Sequence, residues 1–301
     1  MKILISGCDG QVGWELQRSM AVLGEVIGLN RLQLDLAQPG SAAAVVERMS
    51  PDVVINAAAY TAVDNAESEE AFATRINGEA VGELACAARD AKALFVHYST
   101  DYVFDGTKSS PYLEDDTTSP LSAYGRSKLA GERAIRQAGG DWLVFRTTWV
   151  YGVRGKNFLR TMLRLAASRE ELSVVGDQLG APTSARMIAD ATAHIVAQCM
   201  QERRAEAEFE SGLFNLTAAG VTTWHGFAEA IIDAARARTP SAVVTRLVKS
   251  ISTAEYPTPA RRPLNSLLDN GKLTSRFDIF RPDWRDAMHL VLDDLFAAAT
   301  P

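Results

Sequence analysis

Cysteine is scarce and scattered. Cys8, Cys86 and Cys199 are odd in number, far apart and free of any CxxC spacing, which excludes a disulfide framework and suits a reducing compartment. Histidine is almost as rare. His97, His194, His225 and His289 form no HxxxH or similar ligand pair, so no metal site is expected. Long apolar runs are missing too. The first of them, Ile3-Leu4-Ile5, stops at once in a glycine loop, so neither a membrane span nor a signal peptide is read there. Positive charge is not in excess. A net charge of −6 argues against a general nucleic-acid binder, although a few placed cations and backbone amides can still hold a small anion. The expectation is a cytoplasmic protein with neither nucleic acid nor membrane as partner.

What is present is an ordinary globular composition, 47% hydrophobic and 23% charged, in a chain of 301 residues. That length suits two domains sharing a core. In the first half, strand-like and helix-like segments alternate. Lys2–Ser6, Glu25–Leu29, Asp52–Asn56, Leu94–Thr100 and Trp142–Thr147 read as strands. Between them Val12–Leu23, Glu67–Ala91 and Ser122–Gln137 read as helices, the second carrying Phe72, Ile76, Ala80, Leu84 and Ala88 at steps of four. Such alternation predicts an α/β fold, a Rossmann-like doubly wound parallel sheet. After about residue 150 the pattern loosens into helices at Asn157–Ser168, Met187–Gln201, Thr223–Ala237 and Trp284–Ala299, with short strands at Leu172–Val175 and Leu213–Leu216. We expect residues 1–150 to form a dinucleotide-binding domain. Residues 151–301 are expected to form mainly a smaller, mixed α/β substrate domain, with some segments returning to the first.

Gly7-Cys8-Asp9-Gly10-Gln11-Val12-Gly13 places three glycines at GxxGxxG spacing between the first strand and the first helix. Glycines there permit a tight turn and a close backbone approach to a pyrophosphate, while the helix start offers free N–H groups. A site selective for NAD usually places a carboxylate at the end of the second strand to bind the ribose 2′-hydroxyl. Here that position reads Asn30-Arg31, which tolerates or pairs with a 2′-phosphate. Asp35, with Leu36 beside it, is expected near the adenine. NADPH is therefore the expected cofactor, with NADH as an alternative. Further on, Tyr124 and Lys128 lie four apart on one helix face, after a strand that ends in Ser99-Thr100. A phenol works as an acid–base catalyst near neutral pH when a cation stabilises its phenolate, and Lys128 is placed to do so. A hydroxyl from Thr100 or Ser99 would orient the reacting oxygen.

These residues identify a resemblance. The chain is similar almost end to end to the dTDP-4-dehydrorhamnose reductases, extended short-chain dehydrogenase/reductases. The matches are GQVGWELQ at Gly10–Gln17, NAAAYTAVDNAE at Asn56–Glu67, HYSTDYVFDG at His97–Gly106 and SPLSAYGRSKLAGE at Ser119–Glu132. FRTTWVYG at Phe145–Gly152, DQLGAPTSA at Asp177–Ala185 and TPARRPLNSLLD at Thr258–Asp269 follow. The resemblance implies hydride transfer to C4 of dTDP-4-dehydro-β-L-rhamnose, the last step in making a dTDP-sugar for cell-surface polysaccharide such as lipopolysaccharide O-antigen. It implies Tyr124, Lys128 and Thr100 as catalytic residues, Thr100 and Asp101 on the sugar, and Trp149 against the sugar or its diphosphate end. Gly10, Gln11, Val12, Ala59, Tyr60 and Thr61 would contact the cofactor. Arg261, Arg262 and Asn265 are the candidates for the substrate diphosphate, because a guanidinium fork matches phosphate oxygens.

One departure stands out. Some members are thought to dimerise through a Mg²⁺ ion held by glutamates. Glu15 matches one ligand, but Arg186 stands where a carboxylate is expected, so no metal is expected and a homodimer is left open. Two rivals are a dehydratase or epimerase of the same fold and a non-catalytic dinucleotide-binding regulatory subunit. A dehydratase follows its Thr with Asp-Glu, whereas Thr100-Asp101 is followed here by Tyr102. The loop Asp105–Ser119, with its Glu114-Asp115-Asp116 run, reads as a lid or a docking surface.

Overall fold

The computed structural model describes residues 1–206 and 208–297. Its large layer is built from β1 (Lys2–Ser6), α1 (Gln11–Ser19), β2 (Glu25–Leu29), α2 (Ser41–Met49), β3 (Val53–Asn56), α3 (Glu70–Thr74), α4 (Ala80–Asp90), β4 (Leu94–Thr100), α5 (Ala123–Ala138) and β5 (Trp142–Thr147). The remainder comprises β6 (Val150–Tyr151), α6 (Phe158–Ala166), β7 (Glu171–Val175), β8 (Leu179–Gly180), β9 (Thr183–Ser184), α7 (Ala185–Arg204), β10 (Gly212–Asn215), β11 (Thr222–Thr223), α8 (Trp224–Arg238), β12 (Leu247–Ile251), α9 (Gly271–Phe277) and α10 (Trp284–Ala297). The last helix was expected to reach residue 299. Residues 298 and 299 lie outside the described residues.

Six parallel strands form one sheet in the order β2-β1-β3-β4-β5-β10. Its central strands are buried on both faces, which is why they read as near-continuous apolar runs. The two-residue period splits them between two cores. Ile3, Ile5, Val53, Ile55 and Val96 join one core with α1 and α7, while Leu4, Val54, Phe95 and Val144 join the other with α2 and α4. Full burial of each such side chain is worth roughly 1.5–3 kcal/mol. Strand β10 and helix α7 come from beyond residue 150 and return to this layer.

From β1 the chain winds outward to β2, then returns to β3 on the other side of β1. That reversal opens a crevice at the carboxyl ends of β1 and β3, where open α/β sheets bind ligands. Above it sits a smaller lobe, in which β7 pairs with β12, β8 with β11 and β6 with β9. Tyr151, Phe158, Phe227 and Trp284 form its aromatic centre.

Two expected helices differ from the observed ones. Helix α1 ends at Ser19 rather than at residue 23, because Met20 to Gly24 turn into β2. The single helix expected over Glu67–Ala91 is broken. A 3₁₀ turn at Asn65–Glu67 precedes α3, and a π-helical turn at Arg75–Glu79 separates α3 from α4. The extra residue lets Asn77 leave the helix surface, and a Cβ on Gly131 of α5 would collide with Asn77 O, so glycine allows this close packing. Helix α2 and strand β12 were not among the expected elements, although Ala42, Val45, Val46 and Met49 of α2 sit at helical spacing and pack on one core.

Candidate active site

The crevice is a cleft of about 660 Å³. Gly7 turns the chain out of β1 at φ +69°, and a Cβ there would lie 2.7 Å from Ala58 Cα. Only glycine lets the turns after β1 and β3 approach so closely. Gly10 begins α1 without a side-chain cap, which leaves the first-turn N–H groups facing the cleft. Gln11, Val12, Asn30, Arg31, Asp35, Leu36, Ala59, Tyr60 and Thr61 all line it, as do Tyr124 and Lys128. Gly13 lies behind, where a Cβ would strike the Gly7 backbone. These features suit a dinucleotide, with a pyrophosphate over the glycine turn.

The rim differs in detail from the expectation. Asn30 Oδ1 accepts from the N–H groups of Leu32 and Gln33 at 3.0 and 3.3 Å, so its side chain serves its own turn. Arg31 is 74% exposed and only 3.6 Å from Asp35, which leaves its fork available. Asn77 was missed altogether. Its amide exchanges bonds with Tyr60 N and O at 2.8 and 3.0 Å and donates to Ser127 Oγ at 3.0 Å, pinning the loop 57–61 to α5. The π-helical turn that frees it leaves no periodic trace in the sequence.

Helix α5 starts where Ser122 Oγ accepts from Gly125 N at 3.1 Å, and Glu67 accepts from Ala123 N at 2.8 Å. Those caps place Tyr124 in the first turn with its ring along the cleft and Lys128 one turn deeper. Burial raises the proton affinity of the Tyr124 phenol, the Asp101 charge raises it further, and a hydrogen bond with Thr100 opposes both. Lys128 is held away on the sheet side. Its Nζ donates to Tyr98 O at 2.6 Å and lies 3.1 Å from His97 Nε2, and burial brings its pKa down to about 8. The phenol is therefore a proton donor as it stands, not a preformed phenolate.

Asp101 is buried at the end of β4. Its Oδ1 accepts from Thr100 Oγ1 at 3.1 Å, and its Oδ2 has no hydrogen-bond partner among the described residues. The Thr147 hydroxyl at the end of β5 and that of Thr148 just beyond it are likewise buried without a hydrogen-bond partner of good geometry among them. Burial raises the Asp101 pKa to about 6 from 3.8, with the nearby hydroxyls of Ser266, Thr148 and Thr100 opposing. The folded state thus binds the proton more tightly than the unfolded chain. The stability this brings is present below pH 4 and lost as pH rises through about 6. Asp101→Asn should therefore be more stable than wild type at pH 7, by roughly 2–3 kcal/mol, with the difference vanishing near pH 4. Urea unfolding at the two pH values checks this, and equal differences at both would refute it.

Trp149 has φ +48°, a strained conformation for a bulky residue. It is held by stacking on Trp224 with centroids 3.7 Å apart, over Gly180, where a Cβ would lie 2.5 Å from the indole. Trp224 is 75 residues away, and nothing local announces the pair. Arg262 does not stand free. Both its Nη atoms bond Asp64, at 3.0 and 2.8 Å, joining the 258–266 loop to the loop after β3. Arg261 is exposed. Asn265 is spent on structure: it donates to Lys108 O and Ser110 O at 2.7 and 2.9 Å and accepts from Leu267 N. It ties down the Asp105–Ser119 loop, where Lys108 also pairs with Asp116.

Arg186 lies between Glu15 at 3.5 Å and Asp294 at 2.7 Å, so a guanidinium occupies the middle of that carboxylate pair. Among the described residues no helix is long and apolar enough to cross a membrane.

The doubly wound sheet, the glycine turn and a tyrosine–lysine helix facing one cleft define a nicotinamide-dependent oxidoreductase of the short-chain dehydrogenase/reductase class. A family model described as "RmlD substrate binding domain" matches residues 1–297. The chain is 60% identical to the dTDP-4-dehydrorhamnose reductase of Burkholderia thailandensis, over 99% of this chain and 100% of that one. It is 44% identical to that of Escherichia coli, over 98% of both. A solved Bacillus anthracis dTDP-4-dehydrorhamnose reductase in complex with NADP superposes with a TM-score of 0.87 at 30% identity, covering 97% of this chain and 99% of that one. The chain belongs to the dTDP-4-dehydrorhamnose reductase family.

Proposed function

We propose that this chain reduces the C4 ketone of dTDP-4-dehydro-β-L-rhamnose to give dTDP-β-L-rhamnose, using NADPH or NADH. The observation that carries the reading is one cleft that holds the glycine turn, Tyr124 and Lys128 together, in a chain 60% identical to a reductase of that name. A reduced nicotinamide held there supplies the hydride. Everything else falls to the chain. The glycine turn and the start of α1 hold the pyrophosphate, and Arg31 at the rim reaches a 2′-phosphate. The Tyr124 hydroxyl gives its proton to the forming C4 alkoxide, with Thr100 orienting that oxygen. Asp101, Thr147 and Thr148 offer hydrogen bonds to sugar hydroxyls, and Trp149 packs against the sugar or its diphosphate end. Arg262 serves the diphosphate by exchanging Asp64 for it. The chain works in solution in the cytoplasm, and the rhamnose goes to cell-surface polysaccharide.

Following NADPH absorbance with purified protein and enzymatically made dTDP-4-dehydrorhamnose tests this. Steady oxidation is expected, and none with either nicotinamide, in a protein that still binds it, would sink the reading. Arg31→Ala should raise KM for NADPH roughly tenfold while leaving KM for NADH nearly unchanged, because only the former carries the extra phosphate. Equal changes with both cofactors would remove Arg31 from cofactor choice.

A further inference from the structure

A buried histidine lies beside the catalytic lysine and has no part in the reaction as derived above. His97 on β4 is wholly enclosed, its ring parallel to Phe95. It belongs to a line of side chains that crosses three strands. Ser6 Oγ donates to Asn56 Oδ1 at 2.5 Å, Asn56 Nδ2 lies 3.1 Å from His97 Nδ1, and His97 Nε2 lies 3.1 Å from Lys128 Nζ. Sheet register makes the line, since Ser6 is paired with Asn56 and Asn56 with His97.

Donors and acceptors decide where the protons sit. Asn56 Oδ1 also faces the backbone N–H of Ala58, at 3.2 Å. A backbone N–H can only donate, so this contact fixes the amide with its NH₂ end toward His97. Nδ1 must then accept, and the one proton of a neutral imidazole sits on Nε2. The ring is neutral, because its complete burial holds its proton affinity far below the ordinary histidine range. Nε2–H therefore points at Nζ. An ammonium has only protons to present there, whereas an amine presents a lone pair. The contact with Tyr98 O suits either form.

We infer that His97 is a positioning residue for Lys128: its Nε2–H, oriented by Asn56, stabilises the neutral amine and sets the pH at which Lys128 changes charge. The inference rests on the reductase reading. Other groups bear on the same lysine. Burial favours the amine, and Glu132, one turn along α5, favours the ammonium. Glu132 is already shared between Arg146 of β5 and Ser99 of β4. Tyr124 of α5 lines the cleft beyond, and Asp101 is buried at the end of β4. Burial brings the lysine down from the ordinary amine range to about 8.

Two measurements test this. Long-range ¹H–¹⁵N NMR of the wild-type protein, with His97 assigned by its loss in His97→Gln, should show a neutral ring protonated at Nε2. A proton on Nδ1, or on both nitrogens, overturns the inference whatever the activity. In His97→Gln the side-chain oxygen accepts from an ammonium, so the neutral amine loses its advantage. Loss of the Lys128 proton removes the cation beside the Tyr124 donor, so the alkaline limb of the kcat/KM profile should move up by about one pH unit. A limb that stays in place, in a variant with the wild-type melting temperature, overturns it. Should His97→Gln not fold, Asn56→Asp carries the same expectation, because a carboxylate draws the ring proton to Nδ1 and frees Nε2 to accept. A wild type that oxidises no NADPH would sink the reductase reading, and the NMR result would still decide His97.

Discussion

Replacing Tyr124 with phenylalanine lowers kcat for ketone reduction by about 10²–10⁴-fold while leaving NADPH affinity close to wild type. The substitution removes one oxygen from the first turn of α5. The ring stays, with its edge-on contact to Tyr102 at 5.5 Å, so the cleft wall is unchanged. What is lost is the proton donor. In the folded protein the phenol is held firmly protonated by burial and by Asp101, and is therefore in the donor form at neutral pH. Without it, the developing alkoxide must take its proton from water, a far weaker and unpositioned donor. Stopped-flow NADPH oxidation together with a fluorescence titration of the cofactor separates the two effects. Activity within tenfold of wild type would show that another group delivers the proton.

The second large effect concerns the support beneath the site. Glu132 and Arg146 form a buried pair at 2.7 Å, with side chains 3% and 2% exposed. Glu132 also accepts from Ser99 Oγ, and Arg146 donates to Glu114 O at 3.1 Å and lies over Phe104. One ion pair thus joins α5, β4, β5 and the Asp105–Ser119 loop. Glu132→Ala leaves a buried guanidinium without its counter-charge and should cost about 3–5 kcal/mol. Adding Arg146→Met should recover a substantial part, because burying neither charge is cheaper than burying one. Denaturant unfolding of both variants checks this. A loss under about 1 kcal/mol for Glu132→Ala would show that water reaches the pair.

Much of the large layer was legible in the chain. Lys2–Ser6, Glu25–Leu29, Leu94–Thr100 and Trp142–Thr147 occupy the expected bounds; all but the half-exposed edge strand Glu25–Leu29 are buried on both faces and so read as short apolar runs. The glycine spacing and the Tyr124–Lys128 interval are equally local, and the structure brings both to one cleft. The smaller lobe was less legible. Its two-residue strands leave too short a pattern to read.

Partners distant in sequence were not legible at all. Arg262 reads as a free phosphate ligand until folding sets it against Asp64, and Asn265 reads the same way until it is found holding Lys108 and Ser110. Trp149 announces an aromatic wall but not that Trp224 completes it.

The sequence by itself determined the class of fold, the glycine turn and the tyrosine–lysine helix, since each depends on spacing within a few residues or on one residue's steric freedom. The tertiary structure alone decided which charges are paired, where the π-helical turn places Asn77, and that Ser6, Asn56, His97 and Lys128 stand in one line. Those outcomes depend on strand register and on the approach of helices across the sheet. Both are set by packing summed over the whole core, which no local stretch of sequence contains.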